Sequence, residues 1–320
     1  MGTIDLGPPP PSPQDLLDGL PRRVALTLPE LRFVAERANG APLPFDVRDA
    51  EPEQAGGLAS RLGRGRGVSE QQAYADVLAR LHDPTSSLSR RGLLVGAPED
   101  GVVDEGIIGA VGLLATPTVA IDLDVTAGGV QVKSWHRQSG GAVAALSTQD
   151  GIVFELAWFP TWAWAAELAR AAVVPEDLPL HDSVVPGRFD APHELVDAAV
   201  EAARTHRSDL VPVLVAQHSG AATDGTGRAM HDAEVATALT GLATEARGRL
   251  RALVADVSGE ETTTVGVVAW TLVADGWRAL RAQHEPAVDG RPSGLRLQVE
   301  RVIPEDLGSE LAPVLAEVGP

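Results

Sequence analysis

Two spacings of apolar residues run through this chain. Around Val24–Leu28, and over the blocks 118–159 and 249–303, apolar and polar positions keep to the period of two that strands require. Elsewhere the apolar residues return every three or four positions, the helical period. The first block predicts strands at 118–126, 129–137, 141–148 and 151–159, joined by Ala127-Gly128-Gly129, Ser139-Gly140-Gly141 and Gln149-Asp150-Gly151. Asp-Gly and Gly-Gly between alternating runs are hairpin signals, because those residues accept positive φ. Consecutive hairpins make an antiparallel meander, not a parallel sheet. The second block predicts another meander, with strands at 249–257, 263–274, 276–284 and 294–303.

Helices are predicted around these blocks. Pro29 opens one that stops at Asn39-Gly40. Ser69 with Gln72 forms a capping box for a helix to Leu81, ended by His82-Asp83-Pro84, and a short helix is expected at 51–62. Asp104 opens another through Leu114. Pro160 starts one to Ala172, Asp190 caps one through Arg204, and further helices are expected at 208–216, at 228–247 and from Pro304 to Glu317. Residues 217–227, with Asp224-Gly225-Thr226-Gly227, read as a flexible loop.

The second meander reads as a worn copy of the first. Val130–Trp135 matches Val265–Trp270, Gly141 matches Gly276, and each copy ends in a strand, a proline and a helix. The copies lie about 130–145 residues apart, which suits a duplicated half-domain and is too long for a solenoid. The expected organisation is a disordered proline-rich tail over 1–22, an N-terminal half over 23–185 and a C-terminal half over 186–320. Aligning Pro160 with Pro304 puts the inward residues of the preceding strands out of phase. A bulge in one copy would account for that, as would a misalignment by one residue.

Composition narrows the function. Hydrophobic residues make up 44% and aromatics 4%, so Ala, Val and Leu must fill the core. The net charge of −18 opposes binding to nucleic-acid phosphate or anionic membranes. With no cysteine, thiolate metal sites and cysteine nucleophiles are excluded. No apolar run approaches a membrane span and the N-terminus shows no signal peptide, so a cytoplasmic protein is expected.

Catalytic signatures are missing. There is no Gly-x-Ser-x-Gly elbow and no Gly-Lys-Ser or Gly-Lys-Thr, and Lys133 is the only lysine. Gly63-Arg64-Gly65-Arg66-Gly67 follows no strand and reads as a linker. His181, Asp190 and His193 are the one grouping that could gather as a polar cluster, the mark of a small-molecule-binding protein or an enzyme. No cofactor and no metal is expected. Trp158, Phe159, Trp162 and Trp164 are the densest aromatic patch. Trp164 pairs with Leu168 at i, i+4 and reads as core, while Trp162 lies on another side and is the one expected to be exposed.

Several ordered features resemble the EspG family, cytosolic chaperones of type VII (ESX) secretion in actinobacteria. They are Leu28-Pro29-Glu30-Leu31 with Ala35-Glu36-Arg37, then Pro42-Leu43-Pro44-Phe45, Ala75–Leu81, Arg91-Gly92-Leu93-Leu94, Ala115-Thr116-Pro117 and Val119–Leu123. The resemblance covers about residues 23–318. It implies an α+β fold, a central antiparallel sheet flanked by helical bundles, in a monomer or homodimer. It also implies a non-enzymatic chaperone for the tip of a helical export substrate, PE/PPE-like or WXG100-like. Well-known members of the family grip their partner with a long excursion between the first two meander strands. Here that connection is only Ala127-Gly128-Gly129, which moves the expected contact to the second half. The expected partner-binding residues are Trp162, His218, Thr226, Arg228, Met230 and Val235.

Overall fold

The computed structural model describes residues 21–45, 73–97, 100–259, 261–284 and 294–318. The proline-rich tail, the Gly63–Gly67 loop, the helix expected at 51–62 and the Ser69–Gln72 capping box lie outside the described residues. In chain order the elements begin with β1 (Arg22–Thr27), α1 (Leu28–Arg37), a helical stretch at 73–79, α2 (Pro84–Arg90), β2 (Leu94–Val95), β3 (Val102–Val103) and α3 (Glu105–Ala115). β4 (Val119–Ala127), β5 (Val130–Ser139), β6 (Ala142–Thr148) and β7 (Val153–Pro160) follow, then a 3₁₀ turn at Thr161–Ala163 and α4 (Trp164–Ala171). Next come β8 (Arg188–Pro192), α5 (His193–Arg204), α6 (Val211–Gln217), β9 (Thr223–Asp224) and α7 (Asp232–Thr244). The chain closes with β10 (Gly248–Asp256), β11 (Thr263–Val273), β12 (Gly276–His284), β13 (Leu295–Val302) and α8 (Asp306–Glu317). The fold is α+β, with an antiparallel sheet of eleven strands and helices.

The chain divides into two compact units. The first takes the chain up to Thr118 together with His136–Trp164, and the second takes Val119–Trp135 and Ala165 onwards. In the first unit the strand order is β1-β7-β6-β5. α1 forms where the sequence expects it. Thr27 caps it, with Glu30 returning a bond to the Thr27 N–H at 2.8 Å. Asn39 and Gly40, at φ 60 and 69, end it. Glu30 is buried, and Arg91 meets it at 3.3 Å, so the capping carboxylate has a cation beside it. Phe45 stacks on Phe154 at 5.1 Å, and Leu26, Leu31, Val34, Leu146 and Leu156 are buried in the same unit.

In the second unit the order is β4-β10-β11-β12-β13-β8-β9. α5, α6 and α7 pack with β8 and β13 around Phe189, Leu195, Val211, Leu239 and Val299. The segment 172–187 is held down by side chains that grip its carbonyls. Trp277 Nε1 donates to Ala172 O at 2.8 Å, and the buried Arg278 donates to Val185 O at 3.0 Å and Pro186 O at 3.2 Å.

Four local expectations need correction. Asp190 is a strand residue of β8, paired in register with Gln298, and the helix starts only at His193. The helix expected at 228–247 covers Asp232–Thr244, because His231 and Glu234 form its capping box. Pro160 is the last residue of β7, opposite Ala142, and α4 starts four residues later, whereas Pro304 lies beyond β13. The two prolines are therefore not equivalent, but they are offset by only two residues from the strand ends, which leaves the facing of the side chains unchanged. No register shift occurs between β6 and β7 or between β12 and β13; the bulge lies between Val254 and Ala255 of β10 against β11.

Candidate functional site

The loop that joins α6 to α7 is built around one carboxylate. Asp224 Oδ1 accepts from the Thr226 hydroxyl at 2.6 Å, Thr226 N at 2.9 Å and Arg228 N at 3.1 Å, while Oδ2 accepts from Arg228 Nε at 3.0 Å. These bonds, led by that of the Thr226 hydroxyl, hold the Asp224 pKa at about 2. Gly227, at φ 83, closes the turn. Met230 N donates to Ala222 O at 2.9 Å, and Ser219 Oγ reaches Asp232 at 2.9 Å. The segment expected to be a flexible loop is thus a clasped turn. Thr226 and Arg228 stand exposed on it, and Arg228 also meets Glu234 at 3.7 Å. His218 caps the end of α6 and lies 3.8 Å from Glu194.

Two of the expected contact residues turn inwards. Met230 and Val235 are buried in the core that α5, α6 and α7 share, so no partner reaches them while the unit is folded. They are apolar residues beside a polar turn, and the turn folds them under itself. The missed surface is α6. Its Val211 and Val215 are buried, but Val213 is 56% exposed and Leu210, just before the helix, is 37% exposed. The apolar run Val211–Ala216 gave no polar face to mark which side meets solvent.

In the first unit Trp162 is 71% exposed on the 3₁₀ turn after β7. Beside it lies an apolar groove of about 510 Å³. One wall is the face of α3 carrying Gly106, Gly109 and Leu113; the other includes Trp158 and Trp162, with Arg22 also on the lining. The helix approaches closely enough that a Cβ on Gly106 would sit 3.0 Å from the Trp158 ring. Trp164 is core, as expected from its spacing to Leu168, and its indole reaches the buried His136.

The polar grouping considered in the sequence does not assemble. His181 N donates to Ala274 O, Asp190 pairs with Arg296, and among the described residues no group of three His, Cys, Asp or Glu side chains could hold a metal ion. A second groove, of about 680 Å³, lies between α8 and β11–β13. Its charged side chains are engaged with one another: Arg281 pairs with Glu300 and with Glu310, and Glu310 also accepts from Trp270 Nε1. Lys133 is exposed on β5. Among the described residues no helix is long and apolar enough to cross a membrane.

No family model matches the sequence, and no curated protein matches it. The fold does match a solved structure, that of the Mycobacterium tuberculosis type VII secretion system chaperone EspG5 in complex with the PE25–PPE41 dimer. The TM-score is 0.57 at 10% sequence identity, over 92% of this chain and 96% of the other. At that identity the likeness is one of fold, an EspG-like α+β architecture followed nearly end to end.

Proposed function

We propose that this chain is a non-enzymatic cytoplasmic chaperone that covers the tip of a helical type VII secretion substrate and keeps it soluble before export. The observation that carries the reading is the near-complete likeness to a chaperone solved with its helical PE–PPE cargo, over 92% of one chain and 96% of the other. That likeness favours a PE/PPE-like substrate over a WXG100-like one. The two four-stranded meanders, β4–β7 and β10–β13, support the reading of related halves over 23–185 and 186–320 in a monomer or homodimer.

On this reading the contact surface lies on the second unit. Exposed Leu210 and Val213 supply apolar area, and His218, Thr226 and Arg228 supply polar groups on the turn that follows. An apolar centre with polar groups around it is how protein interfaces are built. The Asp224 clasp holds that turn in place before binding, which lowers the entropy cost of association.

The test is co-expression with helical PE–PPE-type pairs encoded beside this gene. The expected result is a stoichiometric complex by size-exclusion chromatography and a substrate that stays soluble only with the chaperone. If every such pair stays soluble alone and elutes apart from this chain, the proposal is rejected.

A further inference from the structure

The apolar groove of the first unit lies away from that contact surface in the chain and has its own candidate occupant. We propose that it seats this chain's own proline run, Pro8–Pro11 with Pro13. The run lies outside the described residues; within the tail expected to be disordered on its own, consecutive prolines favour polyproline II. The inference does not depend on the chaperone reading.

Three observations converge. The first is chemical. Grooves that take polyproline segments are lined by aromatic side chains, whose flat faces lie against proline rings. Here Trp158 and Trp162 line one side, and Gly109 of α3, with nothing within 4 Å of where a Cβ would stand, leaves the other wall low enough for a ring-bearing chain to enter. Trp162, 71% exposed, is otherwise a large apolar side chain left in solvent.

The second is connectivity. Arg22 itself lines the groove, and Pro13 precedes it by nine residues in the sequence. Nine residues reach at most about 30 Å when extended. A tether this short keeps the run at an effective concentration on the order of millimolar, so a contact with an intrinsic Kd near 1 mM is still about half occupied. The third is charge. Asp5 and Asp15 flank the run, and Arg22 places a positive charge at the groove.

The experiment uses the full chain labelled with ¹⁵N at the tryptophan indoles, with Trp162→Phe to assign the Trp162 signal. Replacing Pro9, Pro10 and Pro11 together by alanine is expected to move the indole signal of Trp162 and leave those of Trp270 and Trp277 in place. A synthetic peptide of residues 5–15, added to that variant, is expected to return the Trp162 signal towards its wild-type position with a midpoint on the order of 1 mM. An unmoved Trp162 signal overturns the proposal, as does movement of all the indoles together. A wild-type signal that shifts to the variant's position on tenfold dilution also overturns it, because the occupant is then a second copy.

Discussion

The indole Nε1 of Trp164 donates to Nδ1 of His136 at 3.2 Å, between two buried rings. An indole N–H can only donate, so Nδ1 must accept and the imidazole carries its proton on Nε2. Burial, and then the nearby charge of Arg137, pushes the His136 pKa down to about 3.

This pair sets a pH dependence with a definite sign. The unfolded chain takes up a proton on this histidine near pH 6.5, whereas the folded chain resists it until about pH 3. The contribution to stability is therefore complete above pH 6.5 and is lost progressively as pH falls towards 3. Between pH 6.5 and 5 one such proton costs about 2 kcal/mol. Urea titrations at the two pH values should show that difference in the wild type. His136→Gln keeps an acceptor for the indole but cannot titrate, and should flatten the slope; an unchanged slope would assign the effect to other groups.

α8 presses on α4 through a missing side chain. A Cβ built on Gly308 would lie 2.6 Å from the Cβ of Ala165. Two effects oppose each other in Gly308→Ala. Alanine favours a helix interior by about 1 kcal/mol, while overpacking a contact of this kind costs about 1–3 kcal/mol. Packing should win, with a net loss of up to about 2 kcal/mol. Ala165→Gly in the same chain should recover most of the packing loss, so a double-mutant cycle should be non-additive. Additive single effects would remove this contact as the cause.

Arg278 is buried and spends its guanidinium on Val185 O, Pro186 O and Asp275 at once. Arg278→Met should cost about 3 kcal/mol or more in chemical denaturation, because a buried carbonyl, a half-buried carbonyl and a carboxylate lose donors together. Arg278→Lys should recover little, since an ammonium cannot reproduce the planar fork. A lysine variant as stable as the wild type would show that charge alone suffices.

What the sequence made legible, and what it hid, follows from the range of the interactions. The meander turns at Gly128–Gly129, Gly140 and Gly151 depend on local backbone freedom, and all of these glycines have positive φ. Asp190 was misread as a helix cap because its decisive partner, Arg296, is distant in sequence. The helix expected to run to 247 stops at Thr244, and Glu245 turns away to accept from Ser183 at 2.6 Å and from Val184 N at 2.9 Å, across the fold. The candidate surface suffered in the same way. Trp162 was singled out by its spacing from the core residue Trp164. Met230 and Val235 looked available only because nothing local shows that a turn tucks them inside.

The Asp224 clasp should control access to the bond after Arg228. Asp224→Ala removes the acceptor for Thr226 N, the Thr226 hydroxyl and both Arg228 donors. Limited trypsin digestion should then cut at Arg228 several-fold faster than in the wild type, since cleavage follows local opening. In the wild type the clasp is intact above pH 3.8 and should loosen only as pH falls through about 2. Equal cleavage rates in the two proteins would mean that the backbone bonds around Ala222 and Met230 hold the turn unaided.

α6 carries a solvent face and a core face on a single turn of helix. Val213 is 56% exposed and Val215 is 1% exposed, two residues apart. Val213→Glu places a charge in solvent and should change stability by no more than about 0.5 kcal/mol. If this face meets the substrate, the same change buries an unpaired carboxylate at the contact and should weaken binding at least tenfold. Val215→Ala should do the reverse. It leaves a cavity worth about 2 kcal/mol in the core but presents the same outer face, so affinity measured well below the melting temperature should hold. Calorimetric titration of a PE–PPE-type substrate into both variants, beside thermal unfolding of each, distinguishes the cases. A Val213→Glu variant that binds like the wild type would move the contact off this helix, whatever the partner turns out to be.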